Sequence, residues 1–208
     1  IGRESSAPMG FRNTTRETKR RSMVILGAFF METNLGVASS LKFDGAVLSG
    51  HSLSVFEKII APLKNVPWGV ELPELKTKKM YRQWCKAGAD FFVCSPENVN
   101  VRAMEGEGTG FFLRIEPSLK DRYLRTIESL PVDGVIVRDE DASPITLQKL
   151  MDLSALRTMV DKYLLLEISS TISKWELESL LHIGVDGLLL NMDGGVSKSD
   201  EKLIKYLD

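Results

Sequence analysis

The sequence alternates short apolar runs with longer polar stretches of helical period, and this alternation most constrains its fold. Eight apolar runs of strand length recur between Met23 and Met192, and a candidate helix follows each of them. Alternation of this kind is typical of parallel strand–helix units. Eight units in one chain predict a compact (β/α)8 barrel, an α/β fold, over residues 23–208. The runs are MVILGAFF, GAVLSG, WGVELP, FFVCSP, FFLRIEP, GVIVRDE, LLLEIS and GLLLNM.

A second regularity in the sequence has a period of two strands. Each even-numbered run follows an aspartate, and glycine comes next in three of the four cases. A repeat of two strands is what a closed barrel built from four quarters shows. The alternative is an open doubly wound sheet, which the sequence disfavours because AFFMETN stands where a glycine-rich phosphate loop would follow the first strand. The aspartates are Asp44, Asp90, Asp133 and Asp186, and the odd runs from the third on carry Glu71, Glu116 and Glu167 near their ends.

The composition excludes several functional classes. With 27 basic and 28 acidic residues among 208, the net charge of -1 gives no strong field for nucleic acid or an anionic membrane. No apolar stretch is long enough to span a bilayer, no secretory signal is evident, and two cysteines cannot form a metal cage, so we expect a cytoplasmic protein. Residues 1–22 are basic and polar, which predicts a tail or a short capping helix, with a nucleic-acid arm as the weaker alternative.

Acidic residues gather where the predicted strands end, which is where barrel enzymes carry their chemistry. Glu116 ends the fifth strand, and Asp139 and Asp141 follow the sixth. Two carboxylates that open into one pocket suit a hard divalent cation. The alternative is a solvated acidic rim, or pairing of the acids with Arg114 and Arg138.

Histidine, cysteine and lysine are the other candidate catalytic residue types. His51 follows the second strand and is either a proton shuttle or a turn residue. His182 stands at a predicted helix C-terminus, where its role is structural. Cys94 is interpreted as a buried thiol. Lys42 and Lys162 precede strands, so the sequence disfavours a Schiff-base aldolase.

Three stretches of the sequence are distinctive: FDGAVLSGHSLSVFEKI, then PWGVELPE with CKAGADFFVCSPENVNVRAM, then LRIEPSLKDRYLRTIESLPVDGVIVRDEDAS. In their order and spacing they resemble the HpcH/HpaI metal-dependent aldolases, relatives of the citrate lyase β chains. The resemblance covers nearly all of residues 23–191 and implies that Glu116 and Asp141 hold Mg²⁺ or Mn²⁺, with His51 as the catalytic histidine. It further implies that the cation binds a 2-oxo acid such as pyruvate and stabilises the enolate formed on carbon–carbon cleavage.

One departure from the resembling proteins leaves two functions open. Where they carry an arginine that contacts the oxo acid, near the end of the third strand, this sequence has Glu71. The candidate substrate-binding residues are Arg114, Arg138, Glu71 and Ser95. The first hypothesis is a metal-dependent lyase or aldolase, and the second is a barrel that has lost the reaction and binds a ligand or a protein. Pairing of Glu71 with Arg114 or Arg138 favours the second hypothesis. We expect a small oxo acid as the partner, and a homo-oligomer is one option for the assembly.

Overall fold

The chain forms a closed barrel of eight parallel strands that pair in sequence order, with β1 also paired to β8. This computed structural model describes residues 23–29, 43–49, 53, 63, 66–104, 108–116, 121–138, 144–168 and 172–192. The predicted (β/α)8 fold is confirmed, and each of the eight apolar runs corresponds to one strand, with β5 and β7 beginning one residue before their runs. The basic segment 1–22 lies outside the described residues. The strands are β1 (Val24–Phe29), β2 (Gly45–Ser49), β3 (Trp68–Glu71), β4 (Phe91–Cys94), β5 (Gly110–Ile115), β6 (Gly134–Val137), β7 (Tyr163–Ile168) and β8 (Gly187–Asn191).

The described α-helices follow β3, β5, β6 and β7 and pack on the outside of the barrel. Two of them end at glycines in the left-handed conformation, Gly88 and Gly184, which take φ angles of 98° and 92°. The last described helix begins with a capping box, in which Ser173 and Glu176 each bond the other's backbone N–H. No described helix is long and apolar enough to cross a membrane. The described α-helices are α1 (Lys78–Ala87), α2 (Asp121–Ile127), α3 (Leu147–Met159) and α4 (Lys174–Ile183).

Apolar side chains form two separate layers, one on each face of the barrel sheet, because successive residues of a strand point to opposite faces. One cluster lies between the strands and the helices and contains large buried residues such as Phe92 and Leu164. A smaller cluster fills the inside of the barrel below its C-terminal end. The buried members of the inner cluster are Leu26, Ala28, Val47, Val93, Ile136, Leu165 and Leu189.

The four repeated aspartates tie neighbouring strands together at the N-terminal end of the barrel. In each case the Oδ2 atom accepts the backbone N–H of a residue on the preceding odd strand, and the aspartate N–H donates to the carbonyl oxygen of that same residue. The two-strand period of the sequence therefore reflects one backbone clamp used four times. The side-chain bonds join Ile25 to Asp44 at 2.8 Å, Trp68 to Asp90 at 2.9 Å, Phe111 to Asp133 at 2.7 Å and Leu164 to Asp186 at 2.9 Å.

The glycine that follows three of these aspartates lies where no side chain fits. A Cβ atom added to Gly134 would stand 2.6 Å from the carbonyl oxygen of Tyr163. In the remaining quarter Phe91 takes the place of the glycine, and Gly69 on the neighbouring strand supplies the space, since a Cβ there would lie 2.2 Å from the Phe91 ring. The missing glycine of the repeat is thus compensated across the β3–β4 pair.

Replacement of Asp133 by alanine should destabilise the barrel, because the Phe111 N–H loses a charged acceptor. We expect a loss of about 1.5–3 kcal/mol in the free energy of unfolding, measured by urea denaturation. Asp133→Asn keeps an acceptor oxygen and should lose less. Asp161→Ala, at an exposed aspartate outside the repeat, is the control. Equal stability of Asp133→Ala and the control would show that the clamp contributes nothing.

Candidate active site

The inner face of the barrel changes from apolar to charged at its C-terminal end. Arg114 lies two residues beyond Phe112 on β5, and Glu167 lies two residues beyond Leu165 on β7, so each shares a face with an apolar residue packed against the inner cluster. Glu71 is the last residue of β3. The three charged side chains therefore come together above the inner cluster, where enzymes of this fold carry their chemistry.

Together with Ser49 at the end of β2, these three charged residues form a cluster that we name the mouth cluster. Its members are Ser49, Glu71, Arg114 and Glu167. Arg114 donates through one terminal nitrogen to Glu71 Oε2 at 2.9 Å and through the other to Glu167 Oε2. Its Nε atom lies 2.7 Å from Glu71 Oε1, without the angle of a directed hydrogen bond. Ser49 Oγ donates to Glu71 Oε2 at 2.8 Å. All three nitrogens of the guanidinium thus face carboxylates.

The mouth cluster holds two carboxylates against one guanidinium in a buried setting. Only 7% of the Arg114 side chain and 11% of the Glu167 side chain are exposed, against 22% for Glu71. Burial raises the pKa of Glu167 above its ordinary value, and Glu71 adds to the rise, while Arg114 and Arg138 oppose it. Glu167 therefore keeps its proton to a higher pH than an exposed glutamate does.

Cys94 is the buried thiol that the sequence indicated. It is 2% exposed, and burial, followed by the charge of Glu71, raises its pKa to about 12. A thiol with such a pKa is almost entirely protonated near neutral pH, so it is a poor nucleophile. Its place in the layer between strands and helices fits a packing role.

The structure brings together only some of the predicted site residues. Glu71 and Arg114 meet directly in the mouth cluster. Arg138, exposed after β6, is near enough to Glu167 to affect its pKa. Ser95 is half-buried at the start of a 3₁₀ turn, and Glu116 is exposed after β5.

His51, Asp139 and Asp141 lie outside the described residues, so the catalytic histidine and the metal pair Glu116 and Asp141 stay predictions. Within the described part of the chain, no group of three or more histidine, cysteine or acidic residues stands close enough to hold a metal ion. The described residues thus supply one of the two predicted carboxylate ligands, Glu116, and do not by themselves form a cation site.

Sequence reasoning did not select Ser49 or Glu167 as site residues. Glu167 had a visible signal, because it is the single charged residue within the apolar run LLLEIS. A lone charge inside a buried strand needs a partner, and that requirement points to a site. Ser49 had no such signal, since a serine at the end of a strand is common in turns.

Comparisons with known proteins agree on the fold. No protein-family profile matches the sequence, and no curated protein sequence matches it. An HpcH/HpaI aldolase from Desulfitobacterium hafniense DCB-2 has a TM-score of 0.62 at 12% identity, over 82% of this chain and 86% of that chain. A tryptophan synthase A-subunit from Pyrococcus furiosus has a TM-score of 0.67 at 12% identity, over 90% of this chain and 97% of that chain. The tryptophan synthase of M. tuberculosis has a TM-score of 0.65 at 8% identity, over 90% of this chain and 86% of that chain.

Identities this low establish a shared barrel and no family. The solved structures that share the barrel include an aldolase and tryptophan synthase subunits, so the fold is one that enzymes of these kinds use. Function in a fold of this kind has to be argued from the site.

Removal of the Arg114 charge should destabilise the protein strongly, because two buried carboxylates would lose their cation. We expect Arg114→Met to lower the free energy of unfolding by about 3–5 kcal/mol in urea denaturation. Arg125→Met, at an exposed position on α2, is the matched control. A triple variant, Glu71→Leu with Arg114→Met and Glu167→Leu, should recover most of the loss. A triple variant as unstable as Arg114→Met would contradict this account.

The raised pKa of Glu167 makes a prediction about pH. Above the ordinary value of 4.5, the folded protein still binds a proton that the unfolded chain has released. Stability should therefore fall as the pH rises from about 4.5 through the folded-state pKa. Glu167→Gln cannot titrate and should flatten this part of the curve of unfolding free energy against pH. The control variant Glu178→Gln, at an exposed position on α4, should leave the curve of unfolding free energy against pH as it is in the wild type. An identical slope in wild type and Glu167→Gln would exclude Glu167 as its source.

Proposed function

We propose that this protein is an enzyme of the lyase or aldolase type that cleaves a carbon–carbon bond of a 2-oxo acid at the C-terminal mouth of the barrel. The observation that carries the proposal is the pairing of Glu71, Arg114 and Glu167 within the mouth cluster. It stands at the end of the barrel where this fold carries its chemistry. The resemblance of the sequence to metal-dependent aldolases supports the choice of reaction.

A purely structural role explains the mouth cluster poorly. Buried ion pairs contribute little net stability, and apolar residues of similar volume often replace them without loss. Here the cluster also carries an unmatched carboxylate, and burial raises the pKa of Glu167 although Arg114 touches it. Carboxyl groups with such perturbed pKa values concentrate at functional sites.

The proposal assigns roles to four residues. Glu167 serves as the acid–base group, because its raised pKa keeps a protonated fraction at higher pH, and a positioned acid of this kind speeds proton transfer. Arg114 is a positioning residue, since its two terminal nitrogens hold Glu71 and Glu167 in place. Arg138 binds the substrate carboxylate, for which a guanidinium offers paired donors. His51 moves a second proton, as the resemblance implies.

The proposed reaction also uses a divalent cation, which Glu116 and Asp141 would bind. Mg²⁺ and Mn²⁺ prefer carboxylate oxygens, and a cation bound there would stabilise the charge of an enolate oxygen. The exposed carboxylate of Glu116 after β5 suits this task. Ser95, half-buried after β4, is proposed as a further contact to the substrate.

A second function is favoured by one specific contact. Because Glu71 pairs with Arg114, the guanidinium presents no nitrogen to a substrate carboxylate unless an existing bond breaks. That pairing is the arrangement expected of a barrel that has lost the oxo-acid reaction and now binds a ligand or another protein. The two proposals differ in whether the protein exchanges protons on an oxo acid.

Cation and oxo-acid binding can be tested by thermal unfolding in EDTA, in Mn²⁺, and in Mn²⁺ with oxalate. At 100 times its dissociation constant, a ligand of the folded state adds about 2.7 kcal/mol of stability, which corresponds to roughly 5 to 10 °C for a domain of this size. We expect a rise of this order that needs both additives. It should vanish in Glu116→Gln and in Asp141→Asn and persist in Glu178→Gln, the surface control.

Catalysis can be tested separately, by the exchange of pyruvate methyl protons for deuterium in D₂O. Formation of an enolate predicts enzyme-dependent exchange, followed by NMR, and Glu167→Gln should slow it by about 10²-fold or more, as expected for loss of a general acid–base group. Oxalate binding without exchange would support the second function. The absence of both binding and exchange would exclude the oxo-acid proposal altogether.

A further inference from the structure

A cavity of about 280 Å³ lies outside the barrel, between α3 and the ends of β5 and β6. We name it the α3 slot. Its floor is apolar and buried, because α3 turns Leu153 and Leu156 toward the strands. The strands contribute Ile115 and Val137, and Leu124 of α2 closes one side.

The rim of the α3 slot differs from its floor in being charged. Asp152, Gln148 and Lys149 come from the first two turns of α3, and Glu116 comes from the end of β5. Gln148 Nε2 donates to Asp152 Oδ1 at 2.9 Å, which holds that carboxylate at the rim. The carboxylates of Asp152 and Glu116 thus share the rim with the amine of Lys149, so the described lining side chains carry one more negative than positive charge.

The α3 slot is a cleft that is open at its rim, where Gln148, Asp152 and Ala155 are exposed. Its floor consists of apolar side chains, which an apolar ligand would contact in place of water. An apolar cleft with a few polar groups at its opening is the common form of a small-molecule site.

We propose that the α3 slot binds a small amphiphile that has an unbranched apolar chain and a primary ammonium head. The chain packs on Leu153 and Leu156, and the head lies at the carboxylates of Asp152 and Glu116. The volume corresponds to about nine water-sized groups at ~30 Å³ each, which accommodates a six-carbon chain with its nitrogen. The proposal goes beyond the oxo-acid function and stands without it.

The test uses n-hexylamine, titrated in EDTA so that no divalent cation occupies Glu116. The readout is the NMR signal of the Met159 methyl group, since Met159 lines the α3 slot. We expect saturable shifts, with hexan-1-ol binding roughly two to five times more weakly, the ratio given by one exposed ion pair. Hexanoate should bind more weakly still, because its charge matches that of the rim.

Variants of α3 locate the binding and its charge preference. Ala155 is an exposed lining residue, and Ala155→Met should block the α3 slot and abolish the hexylamine shifts while the protein stays folded. Met151→Leu, on a part of α3 that does not line the slot, should bind as wild type does. Asp152→Asn should reduce the preference for hexylamine over hexan-1-ol.

Three results would overturn the proposal. These are the absence of saturable shifts in wild type, unchanged binding in Ala155→Met, and binding of hexanoate as tight as that of hexylamine. The outcome is separable from that of the oxo-acid proposal, because the titration contains no metal and no oxo acid. Hexylamine binding by a protein that fails to bind oxalate would leave the α3 slot established and the lyase excluded.

Discussion

Closure of the sheet by the pairing of β1 with β8 is the constraint on which the rest of the structure depends. Closure leaves no free edge, and it gives the barrel an inner face that side chains must fill. The four aspartate clamps join strands in pairs at the N-terminal end. The glycines beside them let the strands approach closely. One end of the barrel thus serves stability, which leaves the other end for chemistry.

The mouth cluster forms because charged side chains at a buried position need partners of opposite charge. Glu71, Arg114 and Glu167 come from three different strands, and closure brings their side chains within bonding distance above an apolar floor. In that setting each charge depends on the others, because an unpaired buried charge is strongly unfavourable. Burial, with a further contribution from Glu71, raises the pKa of Glu167 although Arg114 opposes the rise, so any function of the mouth depends on the protonation of this carboxyl group.

The α3 slot and the mouth cluster occupy opposite sides of the same strand end. Arg114 points into the barrel, and the next residue, Ile115, packs on the outer side against α3. Strand geometry therefore places two chemically different spaces on consecutive residues of β5. A charged mouth and an apolar slot can bind unrelated ligands, which is why the two proposals are tested with different probes.

The eight strands and the two-strand repeat could be predicted from the sequence alone, because the period of apolar residues and the recurrence of aspartate are local properties of the chain. The sequence left open whether Glu71 pairs with Arg114 or with Arg138. Only the tertiary structure decided that Glu71 pairs with Arg114 and that Glu167 completes the cluster, since the two glutamates are 43 and 53 positions from Arg114. Contacts across such separations depend on closure and register of the whole barrel, and no local pattern encodes them.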